Sequence, residues 1–388
     1  MLTRRRFVQT VGIGAAAYIG ARGRENAIWS AFETPLEAIE KNVICISSNE
    51  NPLGPGQQVL DAVKAAFGPS GAQPGRYSSS AKDLIDAIAK KQGVKPENIV
   101  LGCGSTQILR SATHLFTAKD RPLVGTIPTY EECAGYAEMM GHPVRPVPLD
   151  ANLKVDVDHM AAAAKGAGLV FYCNPNNPTA TYVGASATRD FLTRVSRQSP
   201  YTYVLIDEAY FDYVTDPDHA THIPIAVDNP HVIVARTFSK AYGMAGLRIG
   251  YAVGHRDTIA KMAEWDAGVG TSSLNVLAMH AAITAIQRPA SEIAEERARN
   301  TAVRDYTKKW FADRGMKPTD SQANFVFVDI GRPAKGFRDA CKAKGVLVAR
   351  DFPPFEKTHC RLSFGTMDEM KKTTAVFEQV LAQKATAA

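Results

Sequence analysis

Four short segments of the chain carry residue types that can do covalent and proton-transfer chemistry. They are residues 174–179 (Asn-Pro-Asn-Asn-Pro-Thr), 207–210 (Asp-Glu-Ala-Tyr), 237–240 (Thr-Phe-Ser-Lys) and 246–251 (Gly-Leu-Arg-Ile-Gly-Tyr). A lysine amine can form a Schiff base with a carbonyl compound, and a carboxylate can hold a positive charge beside it. The first three segments each follow a run of apolar residues, and the fourth lies just downstream.

These apolar runs predict the elements that position the site. Residues 169–173, 203–206 and 232–235 are short and continuously apolar, which is typical of strands covered on both faces of a parallel sheet. Helical patterns alternate with them, as at 83–91 and 105–116. The alternation predicts an α/β domain whose ligand chemistry lies at the carboxyl ends of the strands. From about residue 290, a charged helical stretch and further strand patterns indicate a smaller α+β domain.

Composition and charge exclude several classes of protein. The 388 residues are 45% apolar and 22% charged, which is ordinary for a soluble globular protein of about two domains. The net charge is +6, but Arg4, Arg5, Arg6 and Arg22 contribute four of these charges, which leaves +2 for the rest. A nearly neutral body gives no electrostatic support for nucleic-acid binding. The six cysteines show no CxxC pair and no zinc spacing, so no metal site is expected.

The start of the chain resembles a twin-arginine export signal. Thr3-Arg4-Arg5-Arg6-Phe7-Val8 begins it, and residues 7–21 carry no charge but are too few for a membrane span. We therefore expect a periplasmic or exported protein that contacts the membrane only through this signal; the alternative is a basic N-terminal helix of a cytoplasmic protein. The expected organisation is an export signal and linker over 1–31, an N-terminal arm and substrate loop over 32–75, a large domain over 76–290 and a small domain over 291–388.

Taken together and in this order, the four segments resemble the class I/II aminotransferases of the pyridoxal-phosphate type I fold. Lys240 follows Asp207 by 33 residues, and the resemblance covers about residues 40 to 380. Residues 48–52 (Ser-Asn-Glu-Asn-Pro) and 239–248 (Ser-Lys-Ala-Tyr-Gly-Met-Ala-Gly-Leu-Arg) are most similar to the histidinol-phosphate aminotransferase branch. The resemblance implies an aspartate-aminotransferase-like large domain with a mostly parallel seven-stranded sheet, a smaller α+β domain and a homodimer.

The resemblance also implies a role for each site residue. Lys240 would hold pyridoxal phosphate as a Schiff base, Asp207 would face the ring nitrogen, and Asn177 and Tyr210 would bond the ring oxygen. Tyr130 would stack on the ring, and Tyr77 would reach the phosphate of the neighbouring subunit's cofactor. Arg361 would grip the substrate carboxylate, and the loops around Asn51 and Arg350 would complete the substrate site. The cofactor phosphate would be bound by Gly104, Ser105, Thr106, Thr237, Ser239 and Arg248.

Each of these residues also has a plainer interpretation. Asp207, Ser105 and Thr106 are suitable helix caps, Tyr130 suits a core, Tyr77 suits a surface, and Arg361 suits a structural ion pair. One residue departs from the family pattern, because Ala180 stands where glycine is usual. If its φ angle is positive, alanine costs about 1 kcal/mol there.

The expected reaction is transamination between an amino acid, or an amine like histidinol phosphate, and a 2-oxo acid. A decarboxylase or β-eliminating lyase of the same fold is the alternative, because Lys240, Asp207, Asn177 and Tyr210 would serve all three reactions. A non-catalytic binding protein on this scaffold is a remote third, since it would be expected to have lost Lys240 or Asp207. The export signal puts histidinol phosphate in question as the substrate, because histidine biosynthesis is cytoplasmic.

Overall fold

The computed structural model describes residues 43–68, 73–76, 81–266 and 274–382. The predicted export signal, most of the arm before residue 43, and Tyr77 lie outside these ranges.

A seven-stranded sheet forms the centre of the large domain. Its strand order is β2-β8-β7-β6-β5-β3-β4, and every neighbouring pair is parallel except the two that involve β8. This confirms the expected mostly parallel sheet. The strands are β2 (Ile99–Gly102), β3 (Leu123–Ile127), β4 (Val144–Pro148), β5 (Leu169–Cys173), β6 (Tyr203–Asp207), β7 (Val232–Thr237) and β8 (Gly250–Gly254).

Both faces of this sheet are buried, which is why its central strands are apolar throughout. Along β5, Val170 and Tyr172 belong to one apolar cluster, whereas Leu169, Phe171 and Cys173 belong to a second cluster on the opposite face. The helices of this domain are α1 (Gln57–Ala65), α2 (Lys82–Gln92), α3 (Ser105–Phe116), α4 (Glu132–Met139), α5 (Val157–Ala163), α6 (Ala185–Gln198), α7 (Ile223–Asp228), α8 (Arg256–Asp266) and α9 (Val276–Gln287).

The small domain surrounds a separate apolar core. Strands β9 (Phe325–Asp329) and β11 (His359–Ser363) pair antiparallel, and β1 (Ile44–Ile46) pairs parallel with β10 (Val346–Val348). Strand β1 comes from the N-terminal segment, and Ile46 is fully buried in the small-domain core. The pairing of β1 with the small domain was not predicted from the sequence. The helices are α10 (Ala290–Ala312), α11 (Ala334–Lys342) and α12 (Met367–Ala382).

After β1, the N-terminal segment runs across the large domain in close contact with the loop that carries Lys240. Gly243 has a φ of 67°, and a Cβ atom there would lie 2.0 Å from the carbonyl oxygen of Gly54. Arg288 donates to the carbonyl of Pro55 at 3.0 Å. A residue larger than glycine at 243 would therefore push this segment off the loop.

Ala180 has the backbone conformation that the sequence analysis considered. Its φ is 60°, and its side chain is fully buried beside Tyr210 and Phe325. Two backbone hydrogen bonds hold Ala180 in this strained left-handed conformation. Its own N–H donates to the carbonyl of Asn176, and its carbonyl accepts from the N–H of Gln322. No helix among the described residues combines the length and apolar character needed to cross a membrane.

Candidate active site

The carboxyl ends of β5, β6 and β7 bring together the segments that carry Asn177, Asp207 and Lys240. In the sheet register, Cys173 pairs with Asp207, and Asp207 pairs with Ala235. The three chain segments that leave these adjacent strands therefore start side by side, as expected for the ligand edge of an α/β sheet.

Asp207 is a buried carboxylate with little compensation from the protein. It is 3% exposed, and it accepts a hydrogen bond from the backbone N–H of Ala209 at 3.2 Å. Burial raises its pKa to about 7, although the Ala209 bond and the charge of Lys240 act in the opposite direction. A buried carboxylate in this state is suited to receive a cationic N–H donor from a ligand.

The next residue, Glu208, is equally buried but fully paired. It forms a 2.7 Å ion pair with Arg236 and accepts hydrogen bonds from the backbone N–H of His222 and the hydroxyl of Thr221, both at 2.9 Å. Although burial opposes ionisation, the charge of Arg236 and the bonds from His222 hold the pKa of Glu208 at about 2. Of these two consecutive carboxyl groups, only Asp207 has capacity left for a ligand.

Lys240 has the properties of a reactive amine. Its Nζ donates to the carbonyl of Ser48 at 3.1 Å and lies 5.7 Å from the ring centre of Tyr210. Burial, followed by the charge of Arg361, lowers the pKa of Lys240 to about 8. A lowered pKa increases the fraction of neutral amine at neutral pH, which is the form that attacks a carbonyl and accepts a proton.

An anion cradle lies where α3 begins. Gly104, the residue that caps α3, has a φ of 72°, and a Cβ atom there would lie 2.5 Å from Nη2 of Arg248. Nη2 of Arg248 also lies 3.5 Å from the hydroxyl of Thr106. The first N–H groups of a helix and a guanidinium thus face the same space, a combination that binds phosphate.

Thr237 and Ser239 adjoin this cradle. Gly250 pairs with Thr237 in the sheet, and a Cβ atom on Gly250 would lie 2.6 Å from the backbone nitrogen of Ser105. The hydroxyls of Thr237 and Ser239 are 2.9 Å apart, and the N–H of Ser239 donates to Thr237 at 3.1 Å. The structure therefore groups Thr237 and Ser239 with the N-terminus of α3.

Arg361 is a second buried cation beside the strand ends. Its Nη1 donates to Oδ1 of Asn177 at 2.7 Å, and its Nη2 donates to the carbonyl of Ser47 at 2.5 Å. Its Nε is buried and has no hydrogen-bond partner among the described residues. Burial lowers the pKa of Arg361 to about 10. A buried cation without a paired carboxylate is suited to bind an anionic ligand.

Asn49 is a further polar residue of the site that was not predicted from the sequence. Asn49 is 1% exposed and has a φ of 56°. Its Nδ2 donates to the hydroxyl of Tyr210 at 3.0 Å, and its Oδ1 accepts from Ser363 at 2.8 Å. Asn51, which is predicted to bind substrate, donates to the carbonyl of Ala241 at 3.1 Å and accepts from the N–H of Leu53 at 3.0 Å. Both asparagines lie in the motif at 48–52, but sequence alone did not separate their roles.

Two further predicted residues lie together beside this site. Tyr130 is close enough to Thr106, Asp207 and Arg248 for each of them to influence its pKa, which burial raises. Arg350 is held by Glu131, the residue after Tyr130. Tyr77 cannot be placed, because it lies outside the described residues.

The comparisons with known proteins identify the family. Residues 41–377 match the family model "Aminotransferase class I and II", and the chain belongs to this family. It is 34% identical over 359 residues to a histidinol-phosphate aminotransferase of Moorella thermoacetica, covering 90% of this chain and 89% of the relative. It is 33% identical over 357 residues to histidinol-phosphate aminotransferase 2 of Methylococcus capsulatus, covering 90% and 93%.

Solved structures agree with this assignment. Histidinol-phosphate aminotransferase from Sinorhizobium meliloti in complex with pyridoxal 5′-phosphate superimposes with a TM-score of 0.79 at 28% identity, covering 90% of this chain and 96% of that one. Aspartate aminotransferase from Thermus thermophilus with maleate shares the fold, with a TM-score of 0.75 at 21% identity over 89% and 94%. The chain is a pyridoxal-phosphate-dependent aminotransferase; neither the decarboxylase or lyase alternative nor the binding-protein alternative gains support.

The described residues fit this cofactor. The unpaired carboxylate of Asp207 suits a pyridinium, the cradle of Gly104, Ser105, Thr106 and Arg248 suits a phosphate, and Lys240 is the amine with a lowered pKa. When bound, pyridoxal phosphate supplies a carbon that joins amines and a ring that accepts the electron pair released at the substrate α-carbon.

Lys240 should be the lysine that attaches the cofactor. Borohydride reduction of the holoenzyme should fix the cofactor to a peptide that contains Lys240, as mass spectrometry can establish. Lys240→Ala should lose both the label and transamination while the protein still folds. The exposed Lys261, in α8, provides the matched control, since Lys261→Ala should keep both. Label on a different lysine would show that the attachment site has been misassigned.

Proposed function

We propose that this aminotransferase acts between an α-amino acid and a 2-oxo acid, with Arg361 holding the carboxylate that both substrates share. The observation that carries the proposal is the buried Arg361 guanidinium, whose Nε has no hydrogen-bond partner in the described part of the chain and whose Nη1 is fixed by Asn177 at 2.7 Å. A planar guanidinium whose Nη atoms are already held by Asn177 and Ser47 is fixed in orientation and suits recognition of a carboxylate. The same residue then serves both half-reactions, because donor and acceptor meet it in the same way.

The remaining groups divide the work of proton transfer and positioning. With pyridoxal phosphate bound, Lys240 would be the group that takes up and returns the proton of the substrate α-carbon, because its amine has a lowered pKa. Asp207 holds a positive charge in the buried site throughout. Asn49 orients Tyr210 through a 3.0 Å hydrogen bond, and Asn177 orients Arg361 through one of 2.7 Å. These bonds keep the groups around the reacting carbon in place.

Replacing Arg361 tests the carboxylate role. Arg361→Ala should lower kcat/KM in both half-reactions, because it removes a buried charge partner of each substrate. The loss should correspond to roughly 2–5 kcal/mol of transition-state free energy. Arg314→Ala, which removes a partly exposed arginine paired with Glu378, should leave kcat/KM unchanged. Stopped-flow absorbance of each half-reaction measures the effect. A loss confined to one half-reaction would contradict a shared carboxylate site.

Histidinol phosphate is the second candidate donor. The relatives named above, at 34% and 33% identity, carry this activity in their names. Histidinol phosphate has no α-carboxylate, so as a donor it would have to be held through its phosphate. A screen of the purified enzyme against amino donors and 2-oxo acids, with phosphorylated amines included, separates the two candidates. Higher kcat/KM for histidinol phosphate than for every amino acid would favour the second.

A homodimer is part of the proposal. Three large apolar side chains of the N-terminal segment and α1 are exposed: Leu53 at 59%, Leu60 at 43% and Phe67 at 42%. Exposed large apolar side chains in one stretch of the chain support an interface with a second copy. The resemblance to the family adds that Tyr77 would cross to the partner's cofactor site.

Analytical ultracentrifugation tests this surface. The wild-type protein should sediment as a dimer, and Leu60→Asp should shift it towards the monomer because a carboxylate cannot be buried there without a partner. Tyr201→Asp, at a surface site that is 85% exposed, should remain dimeric. A wild-type protein that is monomeric at micromolar concentration would refute the homodimer.

The proposed location is the periplasm, or the outer face of the membrane if the N-terminus is not cleaved. The motif over residues 3–8 and the uncharged run after it support this proposal. A cofactor enzyme also has a physical reason to be exported folded. The site exists only when the strands that end at Cys173, Asp207 and Thr237 are assembled, and pyridoxal phosphate is available inside the cell.

Cell fractionation tests the location. The unmodified protein should appear outside the cytoplasm with its cofactor. The double variant Arg4→Lys with Arg5→Lys should leave active enzyme in the cytoplasm. The reason is that lysine lacks the planar fork of a guanidinium. Arg22→Lys, which makes the same change outside the pair, should still be exported. An unmodified protein found wholly in the cytoplasm would overturn the proposal and strengthen histidinol phosphate as the substrate.

A further inference from the structure

A chain of buried hydrogen bonds connects the small domain to Tyr210 through Asn49. The backbone N–H of Asn49 donates to the Ser363 hydroxyl at 2.8 Å, and that hydroxyl donates to Oδ1 of Asn49 at 2.8 Å. Nδ2 of Asn49 then donates to the Tyr210 hydroxyl at 3.0 Å. The carbonyl of Asn49 accepts from Asn324 at 3.0 Å. None of these four residues is more than 4% exposed, so water competes little for the bonds.

Ser363 decides which way the amide of Asn49 faces. A backbone N–H can only donate, so the Ser363 oxygen accepts from it, and the proton of Ser363 is left for the Asn49 side chain. Only Oδ1 can receive that proton, which turns Nδ2 towards Tyr210. The φ of 56° at Asn49 is a conformation that asparagine adopts more readily than most residues, and it keeps the amide in this place.

The Tyr210 hydroxyl therefore accepts one hydrogen bond and keeps its own proton for another partner. Within the described part of the chain, Asn49 is its hydrogen-bond partner, and no residue accepts the hydroxyl proton. The bond from Asn49 acts to lower the pKa of Tyr210, whereas burial raises this pKa more strongly. The other ionisable groups that act on the hydroxyl are Arg361 of β11, Cys173 of β5 and Asp207 of β6.

We propose that Asn49 is a positioning residue that makes Tyr210 a donor, so that the Tyr210 proton is presented to the ring oxygen of bound pyridoxal phosphate. The inference rests on the proposed function only in placing Tyr210 among the groups around the reacting carbon. Nζ of Lys240, which should carry the cofactor, lies 5.7 Å from the ring centre of Tyr210. The ring oxygen of pyridoxal phosphate is bonded to the carbon next to the one that bears the aldehyde, so it belongs on the lysine side of the ring.

The pH titration of the holoenzyme's Schiff-base absorbance tests this without any turnover. A donor to the ring oxygen stabilises its negative charge, most of all when the Schiff-base nitrogen is unprotonated, so it lowers the pKa of that nitrogen. Asn49→Asp keeps the size of the side chain and tolerates the left-handed backbone. Its carboxylate can only accept, so it would take the Tyr210 proton away from the cofactor. The titration should move upwards by about one pH unit, as for one lost hydrogen bond to a charged group.

Ser363→Ala makes the same test without adding a charge. It removes the hydroxyl that fixes the amide of Asn49, so Oδ1 can turn to Tyr210, and the titration should rise by less than in Asn49→Asp. The exposed Ser48 provides the matched controls. Ser48→Ala should leave the titration unchanged, and Ser48→Asp, which adds the same charge one residue away, should move it far less than Asn49→Asp. In Tyr210→Phe the titration should also rise, and adding Asn49→Asp should raise it little further.

The outcomes separate the inference from the proposed function. Titrations that Asn49→Asp and Ser363→Ala leave unchanged would overturn the inference. Equal shifts in Asn49→Asp and Ser48→Asp, or a shift from Asn49→Asp that is as large in Tyr210→Phe, would also overturn it, since the effect would then be one of charge alone. A holoenzyme that titrates as predicted but turns over no amino acid would overturn the proposed substrates and leave the role of Asn49 standing.

Discussion

The buried carboxylate of Asp207 is the constraint on which the rest of the site depends. It lies at the end of the central strand β6, 3% exposed, with one backbone hydrogen bond and a pKa raised to about 7. Leaving such a group unpaired opposes folding, and the cost disappears when a cation binds against it. Because β5 and β7 lie on either side of β6, the same strands that bury Asp207 also deliver the segments of Asn177 and Lys240 to it.

A second dependence links the two domains. The N-terminal segment contributes β1 to the small domain, accepts from Lys240 through the Ser48 carbonyl, and places Asn49 between Tyr210 and Ser363. The segment that joins the small domain to the large one therefore contacts both Lys240 and Tyr210. Arg361 adds a further link, because it donates both to Asn177 after β5 and to the carbonyl of Ser47 in the N-terminal segment.

Much of the fold could be predicted from the sequence, because long apolar runs and helical periodicity are local signals. Helix α3 has the predicted bounds, and β5 is the predicted run. Strand β4 was not predicted because it contains Pro146 and Pro148. These prolines are tolerated only because β4 is the edge of the sheet. Strand β8 was not predicted because it begins and ends with glycine and follows a Gly-rich motif. The pairing of β1 with β10 is a contact between the two ends of the chain, which no local pattern encodes.

The site was less predictable where side-chain direction decides a role. Asn49 and Asn51 are two residues apart in one motif, yet the left-handed backbone at Asn49 accompanies its bond to Tyr210, while Asn51 holds the loop at Ala241. Likewise, the ion pair between Glu131 and Arg350 joins residues 219 positions apart, so no local pattern in the sequence predicts it. Family resemblance supplied the expected roles of Lys240, Asp207 and Arg361, whereas geometry supplied the residues that hold them in place.

The most direct test of the role of Asp207 is the protonation state of the cofactor's ring nitrogen. Holoenzyme reconstituted with pyridoxal phosphate labelled with ¹⁵N at the ring can be measured by nuclear magnetic resonance across neutral pH. The ring nitrogen should be protonated in the wild type and should lose this protonation in Asp207→Asn, because a neutral amide cannot hold the positive charge. An unprotonated ring nitrogen in the wild type, or the same protonated signal in both proteins, would contradict the role assigned to Asp207.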